Sequence, residues 1–170
     1  MAVLTRGLHA ALYGLLLIGA LLFAAVSWRM LAYPHEVVVS EGAVGLGVRS
    51  ILDEAPLYEN ARFEREPFVV LHYTPVYYLI AAPLMAMTKA PFAAGRAVSI
   101  VFTLGVALAA LAIAMRLTGS RGAGITAALL WLSFYQVVFW GTAQRVDAPA
   151  ICFEVVGLAI AVVERGKNRT

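Results

Sequence analysis

The sequence predicts an all-α integral membrane protein of about four transmembrane helices, with one long outer loop that carries an interfacial helix and a re-entrant one. Three observations predict it. Of 170 residues, 62% are hydrophobic and 14% charged, against about 45–50% and about 25% in soluble domains. Segments 7–28, 97–115 and 122–144 contain no Asp, Glu, Lys, Arg or Pro, and roughly 20 such residues cross a bilayer core as a helix. Seven of the ten acids, Glu36, Glu41, Asp53, Glu54, Glu59, Glu64 and Glu66, fall in one stretch, 29–66. The same arithmetic excludes other classes. Long apolar runs are incompatible with disorder. The net charge of +3 gathers into no Lys/Arg stripe able to follow a phosphate backbone, so nucleic acid is not an expected partner. Cys152 is the single cysteine, which leaves neither an intrachain disulfide nor a cysteine-based zinc spacing.

The first span, 7–28, has an apolar core longer than the 7–15 residues of a cleaved signal peptide, so it reads as a retained span. The outer loop, 29–92, follows. In it Ser40 can act as an N-cap, with Glu41 in the first turn where the helix dipole favours an acid. Ala43, Val44, Leu46, Gly47, Val48, Ile51 and Leu52 continue an amphipathic interfacial helix that Pro56 bars from extending. Segment 67–88 is free of charge, yet Pro67, Pro75 and Pro83 interrupt it, and Tyr73, Tyr77 and Tyr78 suit the membrane interface. It reads as a broken helix that dips in and returns. The positive-inside rule agrees: that arrangement places Arg6, Arg116, Arg121, Arg165, Lys167 and Arg169 together on the cytoplasmic side. The second span covers 93–115, the third 122–142 and the fourth 148–163. The last, with 16 residues and Glu154 within it, needs neighbouring helices.

This topology brings Glu41 and Asp147, about a hundred residues apart, to the same extracytoplasmic mouth. Arg145 and Asp147 lie two residues apart in a turn between spans, a position that serves equally for a reactive pocket and for ordinary interface-flanking charges. Glu154, two helical turns after Asp147, either extends that polar face or pairs with another helix. Glu41 is a first-turn dipole partner, a base for an acceptor hydroxyl, or a holder of a divalent cation together with Asp147. His72, Tyr73 and Tyr77 are candidates for substrate contacts at the aromatic belt, where membrane anchoring is the competing role. The chain has no GxxxxGK[ST], GxSxG or HExxH motif, and Gly42, Gly45 and Gly47 do not form GxGxxG.

Five pieces recur in a familiar order: Glu41-Gly42, Pro56-Leu57-Tyr58, Tyr73-Thr74-Pro75-Val76-Tyr77-Tyr78, Gly95-Arg96 and Arg145-Val146-Asp147. In that order the chain resembles the amino-terminal part of GT-C fold membrane glycosyltransferases, in particular the bacterial protein-mannosyltransferase-like and aminoarabinose-transferase-like group. The resemblance implies transfer of a sugar from a polyprenyl-phosphate donor to an acceptor on the extracytoplasmic face of the cell membrane. It implies catalytic roles for Glu41 and Asp147, with Arg145 offsetting the donor phosphate. Ser40 stands where many relatives carry a second acid. Such enzymes run to several hundred residues, so 170 residues are expected to be the start of one, or to work with a missing carboxy-terminal region or a partner subunit. A non-catalytic membrane subunit that binds a lipid or another membrane protein is the alternative.

Overall fold

The computed structural model describes residues 2–58, 64, 66 and 68–167, and among them every regular element is a helix. The predicted Pro67, Glu59 of the acidic loop and Arg169 of the predicted cytoplasmic set lie outside the described residues. Helix α1 (Ala2–Ala32) contains the first predicted span and exceeds it at both ends. Helix α2 (Val39–Leu52) is the predicted interfacial helix, but its cap is Val38 rather than Ser40. Glu41, third residue of the helix, reaches back so that its Oε2 accepts the Val37 N–H at 2.9 Å. A carboxylate in the third position thereby satisfies an orphan donor just ahead of the helix, and Ser40 is released into the first turn.

Residues 68–75 are irregular, and α3 (Val76–Thr88) follows as one helix with Pro83 inside it. The expected break in this segment therefore falls before Val76 and not at Pro83. At 13 residues, α3 is about 20 Å long, too short to cross a bilayer. Lys89 closes it in the left-handed conformation (φ 54°). Helix α4 (Pro91–Thr118) then runs the height of the molecule, with a proline at its start, where the missing N–H costs nothing, and Gly119 at φ 69° as its left-handed stop.

The third predicted span is not one helix. It forms α5 (Arg121–Ser133) and α6 (Tyr135–Trp140), interrupted at Phe134, whose backbone is extended (φ −66°, ψ 131°). Ser133 explains the interruption: its hydroxyl donates back to the Leu129 carbonyl at 2.6 Å and also lies 3.0 Å from the Leu16 carbonyl of α1. Back-bonding of this kind bends helices. Residues 141–146 form a connection whose first four residues are buried, and α7 (Asp147–Lys167) follows, beginning at Asp147 itself.

Helix α4 is the axis. It packs against α7 and also against α5 and α1, which pack on each other; near its start it carries the α2–α3 pair as a cap. Val44 and Val48 of α2, Tyr77, Tyr78, Ala81 and Met85 of α3, and Ala94 and Val98 of α4 form the cap's core. A second cluster joins Phe23, Ile100, Val137 and Val138 across α1, α4 and α6. Cys152 is buried on α7 facing Gly105, where a Cβ would stand 2.7 Å from its sulfur. Among the described residues two helices are long and apolar enough to cross a membrane, Arg6–Ala32 and Pro91–Thr118.

Candidate functional site

Two charged constellations lie where the cap meets the bundle, and they are built differently. The inner one is Glu41 with Arg96, both fully buried. Glu41 is carried there by the start of α2, and Arg96 by α4, 55 residues away. Arg96 Nε donates to Glu41 Oε1 at 2.8 Å and Nη2 donates to Oε2 at 2.7 Å. Its three other N–H groups reach the carbonyls of Met30 (2.8 Å), Tyr33 (2.6 Å) and His35 (2.7 Å). All five donors of the guanidinium are thus engaged. The end of α1 and the segment leading to α2 are pinned to α4 by one side chain. Phe92 packs beneath the guanidinium, 5.3 Å from ring centre to Cζ.

Glu41 is equally saturated. Oε1 accepts from Arg96 and from the Gln144 N–H at 2.8 Å; Oε2 accepts from Arg96 and from Val37. Burial alone would raise its pKa, but the bonds from Arg96, Gln144 and Val37 outweigh it and hold the carboxyl below its ordinary value of 4.5. The sign follows from linkage. A depressed carboxyl stabilises the fold fully above the unfolded-state value and loses that contribution as pH falls through the folded one. Acidification below about pH 4.5 is therefore expected to lower the thermal midpoint steeply, and Glu41→Gln is expected to flatten that slope; an unchanged slope in the variant would remove Glu41 from the account.

Gln144 ties this knot to the second constellation. Its side-chain Nε2 donates to the Glu41 carbonyl at 3.2 Å, while Oε1 lies against the Cα of Gly95 without a conventional partner. A Cβ on Gly95 would stand 2.3 Å from Gln144 Oε1 and Cδ. Gly95→Ala is accordingly expected to displace Gln144 and to destabilise by about 1–3 kcal/mol, read as a lower unfolding midpoint in detergent. The next residue, Arg145, is held through its backbone: its N–H donates to Ser99 Oγ at 3.0 Å, and Ser99 Oγ lies 3.3 Å from its carbonyl. Tyr77, donating to the Gly95 carbonyl at 2.7 Å, packs its hydroxyl 3.3 Å from the same serine.

The outer constellation is open. Arg145 donates through Nε and Nη2 to Asp147 Oδ2, at 3.1 and 2.5 Å, and through Nη1 to Ser40 Oγ at 3.3 Å. The Trp140 ring lies 4.7 Å from its Cζ. The Asp147 side chain is 45% exposed and that of Arg145 25%. These two line the polar end of a cavity of about 450 Å³. Its walls are Val106, Trp131, Phe134, Val137, Trp140 and Ile151, with Thr103 and Gln136 as further polar groups. Phe134, where α5 gives way to α6, lies in this wall.

The predicted site residues thus separate into groups. The structure does bring the segments around residues 41 and 145 together, through Gln144 on Glu41 and Arg145 on Ser40. Of the predicted residues, Arg145 and Asp147 line the cavity. Glu41 sits in a closed network and does not line it, Tyr77 is buried in the cap's core, and His72 and Tyr73, tilted against each other with 4.1 Å between ring centres, do not line it. A Glu41–Asp147 cation site does not fit this geometry, because every Glu41 lone pair already accepts an N–H. Among the described residues no three of His, Cys, Asp and Glu converge. Sequence reasoning missed Arg96 as the partner of Glu41. The available signal was Pro91, which starts α4 and places Arg96 more than one turn inside a helix.

These observations define a class: an all-helical bundle, among the described residues, with two helices able to cross a membrane and an apolar cavity headed by an ion pair. Comparisons with family models, with curated proteins and with solved structures find no match.

Proposed function

We propose that the chain is embedded in the cell membrane and acts, alone or as the amino-terminal part of a larger enzyme, as a glycosyltransferase that uses a polyprenyl-phosphate-linked sugar at the extracytoplasmic face. The membrane placement is supported by α1 and α4, which leave large apolar side chains uncovered: Leu8, Leu15 and Ile18 are 63–68% exposed, and Val101 and Leu108 64% and 66%. A helix that is apolar all round and yet uncovered by protein is at equilibrium in hydrocarbon.

The observation that carries the enzymatic reading is the cavity: an apolar chamber whose polar end presents one cation and one half-exposed carboxylate. Its size falls in the range of small-molecule sites, about 300–1,000 Å³. The head of an isoprenoid chain lies between Trp131, Phe134, Trp140 and Ile151, and its phosphate meets Arg145. Asp147 receives the proton of an acceptor hydroxyl as that oxygen bonds to the anomeric carbon. The bond from that carbon to the phosphate oxygen breaks, and polyprenyl phosphate leaves with its charge offset by Arg145. In this assignment Glu41 is a positioning residue and Asp147 the catalytic one.

The test uses a photoreactive farnesyl phosphate and membranes containing the chain. Cross-links to Trp140 or Ile151 that disappear in Arg145→Ala support the site, and consumption of a lipid-linked sugar supports transfer. Cross-linking that is insensitive to Arg145 would overturn the reading. Binding without turnover would favour the second one, a lipid-binding subunit, which rests on the same cavity.

A further inference from the structure

Helix α7 packs against α4 and leaves its opposite face open. Ala150, Glu154, Gly157 and Ala161 are all exposed on it. Their spacing of four, three and four residues puts them on one face. Phe153, Leu158 and Ile160, each more than half exposed, flank it. Glu154 makes no hydrogen bond or ion pair within the chain among the described residues, and it lies two turns, about 10 Å, along α7 from Asp147. Because α7 packs along α4, one of the helices able to cross a membrane, that depth is hydrocarbon on the membrane reading, on which this inference rests, and there an unpaired carboxylate is strongly disfavoured and calls for a partner.

We infer that this face is the docking site of another transmembrane helix, one that carries a Lys or Arg at the depth of Glu154. Charge complementarity selects that occupant over a second copy of the chain. Arg96 and Arg145 are engaged with Glu41 and Asp147, and Arg29, Arg116 and Arg121 stand at helix ends. A second copy docked in parallel through this same face of α7 sets Glu154 against its own equivalent rather than against a cation. Gly157, around which a Cβ would meet nothing within 4 Å, gives the incoming backbone room to approach one turn from the carboxylate, as small residues do in membrane helix pairs.

The probe is a single-span Leu/Ala helix with one central Lys, compared with the same helix bearing Leu, each labelled for energy transfer to the full chain in phosphatidylcholine vesicles. The Lys helix is expected to associate about three- to tenfold more tightly. Glu154→Leu is expected to erase that difference, and Gly157→Leu to weaken both helices. Equal association of the two probes, a preference that survives Glu154→Leu, or disulfide-linked homodimers through Gly157→Cys in a Cys152→Ala background would overturn the inference. A separate arm guards the premise: Leu158→Cys in the same background is expected to resist a water-soluble maleimide. Its labelling would overturn the membrane reading and the inference with it, whereas protection combined with equal probe association overturns the inference alone.

Discussion

Arg96→Ala is expected to cost about 3–5 kcal/mol of stability and, on the proposed membrane placement, to expose the α2–α3 cap to protease in intact vesicles while α1 remains protected. The magnitude follows from what is left behind. Glu41 would remain fully buried with its charge opposed only by the N–H groups of Val37 and Gln144. The carbonyls of Met30, Tyr33 and His35 would lose the donors that draw them to α4. Removing one member of a buried pair is far costlier than the net value of the pair, because the stranded charge keeps its desolvation penalty. Arg96→Lys is expected to recover only part of the loss, since an ammonium has three protons for five acceptors and cannot bridge a carboxylate in two parallel bonds. The double variant Glu41→Leu, Arg96→Met removes both charges and is expected to be more stable than Arg96→Ala alone. A cap that stays protease-resistant in Arg96→Ala would show that the apolar cluster around Val48 and Tyr78 holds it without the ion pair.

How much of this was legible in the sequence depends on whether the signal is local. The apolar runs give α1 and α4 directly, because a charge-free stretch of sufficient length is a property of neighbouring residues. The break at Phe134 left no such mark: no proline or glycine sits there, and the interruption depends on Ser133 meeting the Leu16 carbonyl of a helix more than a hundred residues earlier. The cap at Val38 was hidden in the same way, since Ser40 is the better capping residue by type, and a long-range knot claimed Glu41 first. Glu41 and Asp147 stood out as acids near one mouth, and the structure does bring their segments into contact. Their different states of burial were not legible, because burial is set by Arg96 and Gln144, whose arrival at Glu41 no spacing rule encodes. The cavity takes part of its wall from the break at Phe134, so it could not be read before the break was known.

Asp147→Asn is expected to separate activity from stability. The Arg145–Asp147 pair is partly open to solvent, and pairs of that kind contribute about 0–1 kcal/mol, so the unfolding midpoint is expected to move little. Asparagine keeps the size and can still accept from Arg145 while offering no base. On the transferase reading, turnover of a lipid-linked sugar is therefore expected to fall about 10²- to 10⁴-fold, with donor cross-linking in the cavity retained because Arg145 remains. Glu41→Gln is expected to behave in the opposite way: it strands Arg96 in a buried site, lowers the midpoint, and reduces activity only in proportion to the folded protein. Measuring midpoint and turnover on both variants distinguishes the two carboxylates. Turnover of Asp147→Asn within about twofold of the parent, well short of the loss expected for a proton-accepting group, would remove Asp147 from the chemistry and leave the cavity as a lipid-binding site.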